Sequence, residues 1–296
     1  MQSRARRGLR AAAVLVLCLS GWAALADGFV SAYRWSTDDP LFGGFSAVEV
    51  AADGTSFIAL SDRGSWTEGT LQRDADGAVV GVAAAPLAQL KAGGDAPLGL
   101  KRADSEGIAR APDGTVYIAF EGVTRVLRYA DLGGSATNLP DFAGFHDLPI
   151  KASLEALAID EAGTLFAIAE DTMGSTGGFP VFRYNGAEWS LAGTLPRDGT
   201  FLPVAADFGP DGRLYVLERD FRGLFGFASR VRSYGAKAQG FDKGKTEMQS
   251  TVGSHDNLEG LAVWQDQAGA IRLTMISDDN FKFYQRAEFV DYRLGD

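Results

Sequence analysis

Short apolar runs alternate with tight polar turns along this chain, at a period of roughly 50 residues. The turns are Ala52-Asp53-Gly54, Pro112-Asp113-Gly114, Glu161-Ala162-Gly163, Pro210-Asp211-Gly212 and Gln267-Ala268-Gly269. Each is followed by an apolar run that ends in carboxylates: Ser61-Asp62-Arg63-Gly64, Glu121-Gly122, Glu170-Asp171, Glu218-Arg219-Asp220 and Ser277-Asp278-Asp279-Asn280. The runs are short, rich in Val, Ile, Leu, Phe and Tyr, and punctuated by Gly, Pro, Asn and Asp, as antiparallel hairpins require. No segment shows helical periodicity with caps.

Unit two divides into strands at 106–111, 115–120, 124–129 and a weaker edge at 135–139, and the first four units all divide in this way. Unit five supplies strands at 258–264, 271–276 and 282–292 before the chain ends. Its fourth strand is available at the other terminus, in Phe29 to Trp35, and that pairing would close a ring with no open edge inside it. The pattern predicts an all-β fold, a β-propeller of five blades, or six if Trp66 to Leu100 hides a degenerate unit. Trp35, Trp66, Trp189 and Trp264 are expected to pack between blades.

Residues 1–26 stand apart from this repeat. Arg4, Arg6, Arg7 and Arg10 precede a short apolar stretch that ends in Ala24-Leu25-Ala26, the pattern of a signal peptide cleaved after Ala26. This predicts a periplasmic or secreted domain at 27–296, and no later stretch has about 20 apolar residues in a row to span a membrane. Removing the segment takes away the one cysteine and four arginines. In the mature chain 24 bases face 38 acids, a formal −14. Such a charge repels nucleic acid and anionic lipid and favours metal ions or cationic partners. The mature chain is expected to be a monomer.

In a propeller the innermost strand of each blade descends the channel wall and the second strand climbs back. Glu106 and Glu121 flank Gly114 at nearly equal offsets, and Glu155 and Glu170 flank Gly163 in the same way. Glu259 and Asp278 bracket a longer hairpin, while Asp62 and Glu218 come from ascending strands. All should meet at one rim, with Arg63 and Arg219 among them. Like charges so close demand a divalent cation, arginine partners or raised pKa values. Oxygen-only donors suit Ca²⁺, or Mg²⁺, better than zinc, and two histidines, His146 and His255, are too few for a usual zinc set. The metal candidates are Asp62, Glu106, Glu121, Glu155, Glu218, Glu259, Asp278, Asp279 and Asn280. The competing reading makes the same acids ties that accept backbone N–H groups from the next blade. The chain has no Gly-x-Ser-x-Gly, so an enzyme built this way would use metal-assisted attack by water.

The segments Leu60-Ser61-Asp62-Arg63-Gly64, Asp104-Ser105-Glu106-Gly107-Ile108-Ala109, Leu154-Glu155-Ala156-Leu157-Ala158, Leu217-Glu218-Arg219-Asp220, Asn257-Leu258-Glu259-Gly260-Leu261-Ala262 and Ser277-Asp278-Asp279-Asn280-Phe281 resemble, in order, the phytase-like family of exported bacterial proteins, described as having esterase-like activity of phytase. The resemblance implies a propeller and a hydrolase of phosphate esters or other esters acting on a small anionic substrate. Asp62, Arg63, Glu106, Glu155, Arg219 and Glu259 are the catalytic candidates, the two arginines holding the anionic group. Ala156 departs from the family's usual Gly, and few lysines stand near the rim. The alternative is a non-catalytic propeller that binds a small ligand or a protein partner, with any metal structural.

Overall fold

The computed structural model describes residues 28–94, 96–99, 102–146, 148, 154–170, 177–237 and 240–295. The predicted leader lies outside them. Five antiparallel sheets succeed one another along the chain. Blade one holds β2 (Phe45–Val50), β3 (Ser56–Ser61), β4 (Ser65–Arg73) and β5 (Val79–Ala84), and a two-residue strand β6 (Ala88–Gln89) adds to β4. Blade two is β7 (Ser105–Arg110), β8 (Val116–Phe120), β9 (Arg125–Tyr129) and β10 (Thr137–Asn138), followed by the one-turn helix α1 (Ala143–His146). Blade three is β11 (Leu154–Ile159), β12 (Leu165–Ala169), β13 (Gly178–Tyr184) and β14 (Trp189–Pro196). Blade four is β15 (Leu202–Phe208), β16 (Leu214–Phe221), β17 (Phe227–Tyr234) and β18 (Lys245–Gln249). Blade five is β19 (Asn257–Gln265), β20 (Ile271–Asp278), β21 (Glu288–Arg293) and, from the other terminus, β1 (Phe29–Arg34).

The fold is therefore the five-bladed propeller, closed by the first strand pairing with the last. The region 66–100 carries no sixth blade among the described residues, because its extra strand pairs back onto β4. Each predicted turn closes with its last glycine at positive φ, from +70° to +88°. In each, that glycine's N–H donates to the residue three back, and an aspartate caps the exit in several of them, as Asp53 does for Thr55 and Ser56.

The core lies between blades rather than within them. At the closing seam Trp35 stacks on Phe45 at 4.8 Å and meets Phe57 and Phe289 edge-on or tilted. A buried polar network crosses the same seam: Arg73 donates to Asp291 at 2.6 Å, Thr274 donates to Asp291 at 2.6 Å, and Trp264 donates to Thr274 at 3.0 Å. Asp291 is fully buried, and this two-pronged arginine is what makes its burial tolerable. Trp189 packs with Phe145 in blade three, so the tryptophans do serve as packing.

One irregularity recurs in every blade. The innermost strand slips register near its start, leaving an extra residue: Ser46, Glu106, Glu155, Val204 and Glu259. A bulge of this kind bends the strand and re-aims the side chain at the bulged position. The residue after it is always small: Ala47, Gly107, Ala156, Ala205 or Gly260. A Cβ on Gly107 would sit 2.8 Å from the Glu155 carbonyl oxygen of the next blade, and one on Gly260 2.8 Å from the Val48 nitrogen. Neighbouring inner strands pass that closely where the bulges lie.

The candidate acidic site at the channel rim

Three of the five bulges carry glutamate, and those three side chains act on one another. Burial pushes the Glu106 carboxyl well above the ordinary range, and Glu155, Glu259, Asp104 and Glu121 push it further. Burial likewise raises Glu155, helped by Glu170, Glu121 and Glu259 and opposed by Arg219. Asp62 follows the end of β3 and is raised to about 6 by burial, then by Glu259, with Arg63 pulling it down. Asp278 ends β20 opposite Asn257 and is raised to about 8 by burial and by Glu259. Carboxylates from blades one, two, three and five thus meet at one opening, as their offsets from the turns predict.

Arg219 is the cation within this group. It ion-pairs with Glu259, donates to the Asn257 Oδ1 at 2.9 Å, and reaches Glu170 at 3.5 Å. Burial disfavours its charge, but Glu259, Glu170, Glu155 and Asp278 outweigh that and hold its pKa above the ordinary arginine value. Asn257 joins the same network, donating to Glu259 at 2.8 Å and to Asp278 at 3.5 Å. Arg63 sits at the exposed edge, its guanidinium 3.3 Å from the centroid of the Phe281 ring. Phe281 and Asn280 both hold positive φ, +52° and +49°, an uncommon conformation for such residues and one that recurs at functional loops.

One of the predicted ligands stands elsewhere, and another stays beside Asp278 but is engaged by backbone N–H groups. Glu218 is buried and bound by its own blade: Arg230 donates to it at 2.6 Å and Arg232 lies 3.7 Å away. It neighbours Arg219 on β16, and adjacent side chains of a strand point to opposite faces. The rim that receives Arg219 therefore cannot receive Glu218. Asp279 accepts the Gly44 N–H at 2.8 Å and the Phe281 N–H at 3.0 Å, so it ties blade five to blade one. Asn280 offers its N–H to Asp278 at 2.6 Å. His146 pairs with Asp141 on the surface, and His255 is buried against the Tyr292 hydroxyl at 2.7 Å.

The structure adds Asp104. Oxygens of Asp104, Glu106 and Glu121 all lie within 4.8 Å of one another. Calcium holds oxygens at 2.3–2.6 Å, so two donors on opposite sides of it are about 5 Å apart and the spacing fits. The donor set is all oxygen and half-buried, which suits Ca²⁺ or Mg²⁺. A signal for Asp104 was available: it stands two residues before Glu106, as Asn257 stands two before Glu259.

A five-bladed propeller whose rim gathers carboxylates around one arginine defines the class of protein. Residues 40–281 match the family described as Phytase-like, esterase-like activity of phytase, and the chain belongs to that family. No curated protein matches the chain in sequence. Among solved structures it is similar to a protein of unknown function from Dyadobacter fermentans, at 11% identity and TM-score 0.51, over 90% of this chain and 100% of that one. It is also similar to an α-L-arabinofuranosidase from Podospora anserina in complex with cellotriose, at 12% identity and TM-score 0.50, over 89% and 95%. A calcium-binding protein, regucalcin, from Agrobacterium tumefaciens matches at 14% identity and TM-score 0.45, over 85% and 77%. These likenesses concern the fold.

Proposed function

We propose that the mature chain is an exported, calcium-dependent hydrolase of phosphate esters or related anionic esters, with its site at the acidic rim. The observation that carries this reading is the oxygen cluster of Asp104, Glu106 and Glu121 beside two further bulge carboxylates and an arginine. Asp104, Glu106 and Glu121 would hold the ion, with Asp62 and Asp278 close enough in charge to share in its field. A bound divalent cation would supply Lewis acidity toward the ester oxygen and a more acidic water.

The chain's own residues do the rest. Glu155, a carboxyl whose charge burial and the neighbouring acids disfavour, lies in the same group of acids and would exchange a proton with an attacking water. Arg63, exposed and stacked on Phe281, is placed to hold an anionic substrate group. Arg219 is committed to Glu259, Glu170 and Asn257 and acts as a positioning residue that keeps the carboxylates apart and oriented. No helix among the described residues is long and apolar enough to cross a membrane, and export rests on the leader.

The test is melting of the 27–296 chain in EDTA and after calcium is restored, followed by hydrolysis of p-nitrophenyl phosphate and p-nitrophenyl acetate. A large reversible rise with calcium, and turnover that chelator abolishes, are expected. A rise without turnover would replace this reading with a ligand-binding propeller in which the metal is structural.

A further inference from the structure

Apolar side chains that bury little of themselves stand on the rim of blades four and five. Among the described residues four aromatic side chains are exposed, Phe221, Phe225, Phe283 and Tyr284, and all four belong to two loops at this end. Phe221 ends β16, and the β16–β17 loop then carries Leu224 and Phe225 on a single 3₁₀ turn, Gly223–Phe225. Phe283 and Tyr284 occupy the β20–β21 loop. Leu224 is fully exposed, Phe283 97% and Phe225 82%, so these tips add almost nothing to the core. Contiguous exposed apolar side chains mark contact with something outside the chain.

The two loops form one surface. The connector from β18 to β19 touches both: the Gly253 N–H donates to the Phe227 carbonyl at 2.8 Å, and Asp256 accepts the Arg286 N–H at 2.9 Å and the Gln285 side chain at 3.0 Å. Gly253 and Asp256 are three residues apart, at most about 11 Å of chain. Val252, exposed on the same connector, extends the patch. Both loops satisfy backbone groups from within. The Arg222 N–H donates to the Gly226 carbonyl at 2.8 Å, the Lys282 N–H to the Asp279 carbonyl at 2.8 Å, and the Gln285 N–H to the Lys282 carbonyl at 3.0 Å. Backbone paired in this way enters an apolar medium at lower cost.

Charge indicates which medium. The chain is strongly acidic, yet segments 221–227 and 280–287 hold Arg222, Lys282 and Arg286 and no acid. Arg222 pairs with Asp220 at 2.6 Å, and Arg286 lies 3.7 Å from Asp256 and from Glu288. Lys282, exposed between Phe281 and Phe283, is the cation at the tip. Aromatic and leucine side chains interleaved with Arg and Lys suit the boundary between acyl chains and headgroups, whereas the core of a protein interface is depleted in lysine. A small-molecule pocket would enclose the rings, and these project. Charges elsewhere on the acidic chain are screened beyond about 8 Å at physiological salt, so the local cations decide.

We propose that these two loops dock the rim of blades four and five on a lipid surface bearing phosphate headgroups. Leu224, Phe225, Phe283 and Tyr284 enter its apolar boundary, and Lys282 meets the phosphates. The contact is with one face of a membrane and is independent of the hydrolase reading.

Co-sedimentation of the 27–296 chain with vesicles of phosphatidylcholine and phosphatidylglycerol tests it, at about 0.15 M salt. EDTA is present throughout, which removes calcium bridges between rim acids and headgroups. Saturable binding is expected. Leu224→Ser combined with Phe225→Ser should weaken it at least about tenfold, and Phe283→Ser combined with Tyr284→Ser similarly. Lys282→Gln should weaken it about fivefold. All five side chains are exposed, so unchanged melting temperatures confirm that the fold is intact. Absence of binding at about 1 mM lipid would overturn the proposal. So would equal binding by wild type and both double variants, or a dimer in analytical ultracentrifugation that the double variants dissociate, which would assign the patch to a second copy of the chain.

Discussion

The two ends of this channel use the same residue types on the same strands to different effect. At the rim, Glu106, Glu155 and Glu259 sit on bulges, where the ladder skips a residue and the side chain is re-aimed toward the opening. At the turn end, Glu49 and Asp207 lie in regular register and accept a backbone N–H from the following blade. The rim acids crowd one another and carry an arginine among them, while the lower acids close seams and are compensated mainly by N–H groups. A carboxylate in an inner strand is therefore not informative by itself; the local register decides whether it works as a tie or belongs to a site.

The largest effect that separates the two ends should come from the bulged glutamates. Glu106→Gln is expected to remove the calcium-dependent rise in melting temperature and to lower any ester turnover by about 100-fold or more, since ligands matter at least as much as the groups that orient them. Asp207→Asn, at the other end, should leave both unchanged. Parallel melting and rate measurements on the two proteins check this, and equal losses would erase the distinction.

Next in size are the two adjacent residues of β16. Glu218→Gln leaves buried Arg232 without its carboxylate and Arg230 with Asp198 alone, and should cost about 3 kcal/mol in denaturant unfolding. Arg219→Met should also destabilise the chelated protein, by up to about 3 kcal/mol, because Glu259 and Glu170 lose their cation. Calcium should restore much of the second loss and none of the first. Rescue of both would place Glu218 in the metal site after all.

The pH dependence comes next and has a definite sign. Asp62, Asp207 and Asp278 are raised in the folded state to about 6, about 7 and about 8. A carboxyl with a raised folded pKa binds more protons folded than unfolded, so its contribution is complete below its unfolded pKa and is lost as pH rises through the folded value. Stability of the chelated protein should fall between about pH 4 and pH 8. His255, lowered to about 4 by burial, acts oppositely and removes stability as pH falls from about 6.5 toward 4. Calcium should flatten the rim's share of the alkaline loss, while Asp207→Asn should flatten the lower pair's share without calcium. Equal slopes for wild type and Asp207→Asn in EDTA would show that the lower pair does not titrate as its surroundings require.

The smallest effect tests the close passage of inner strands. Gly107→Ala places a methyl 2.8 Å from the Glu155 carbonyl oxygen, and overpacking of this kind costs about 1–3 kcal/mol. Ala156, which follows the bulge of blade three, is fully buried and shows that the bulge tolerates a methyl when the neighbouring strand leaves room.

Much of the fold was legible because its signals are local. The five Asp/Ala-Gly turns, the alternating runs and the unpaired first strand are properties of short segments, and they point to ring closure and to five blades, while the pairing of the extra strand onto β4 removed the sixth. The offsets of Glu106, Glu155, Glu259, Asp62 and Asp278 from those turns carried them to the same rim for the same reason. The function of the adjacent pair Glu218 and Arg219 was not legible, because it depends on which face of β16 meets Arg230 and which meets Asn257. Asp104 was legible only as a spacing before Glu106, because its meeting with Glu121 depends on how close β7 and β8 bring the two. The sequence by itself determined a five-fold repeat of hairpins with acids at their ends. Only the tertiary structure decided which acids face each other, because charge coupling depends on distance and burial across blades, and neither is a property of one strand.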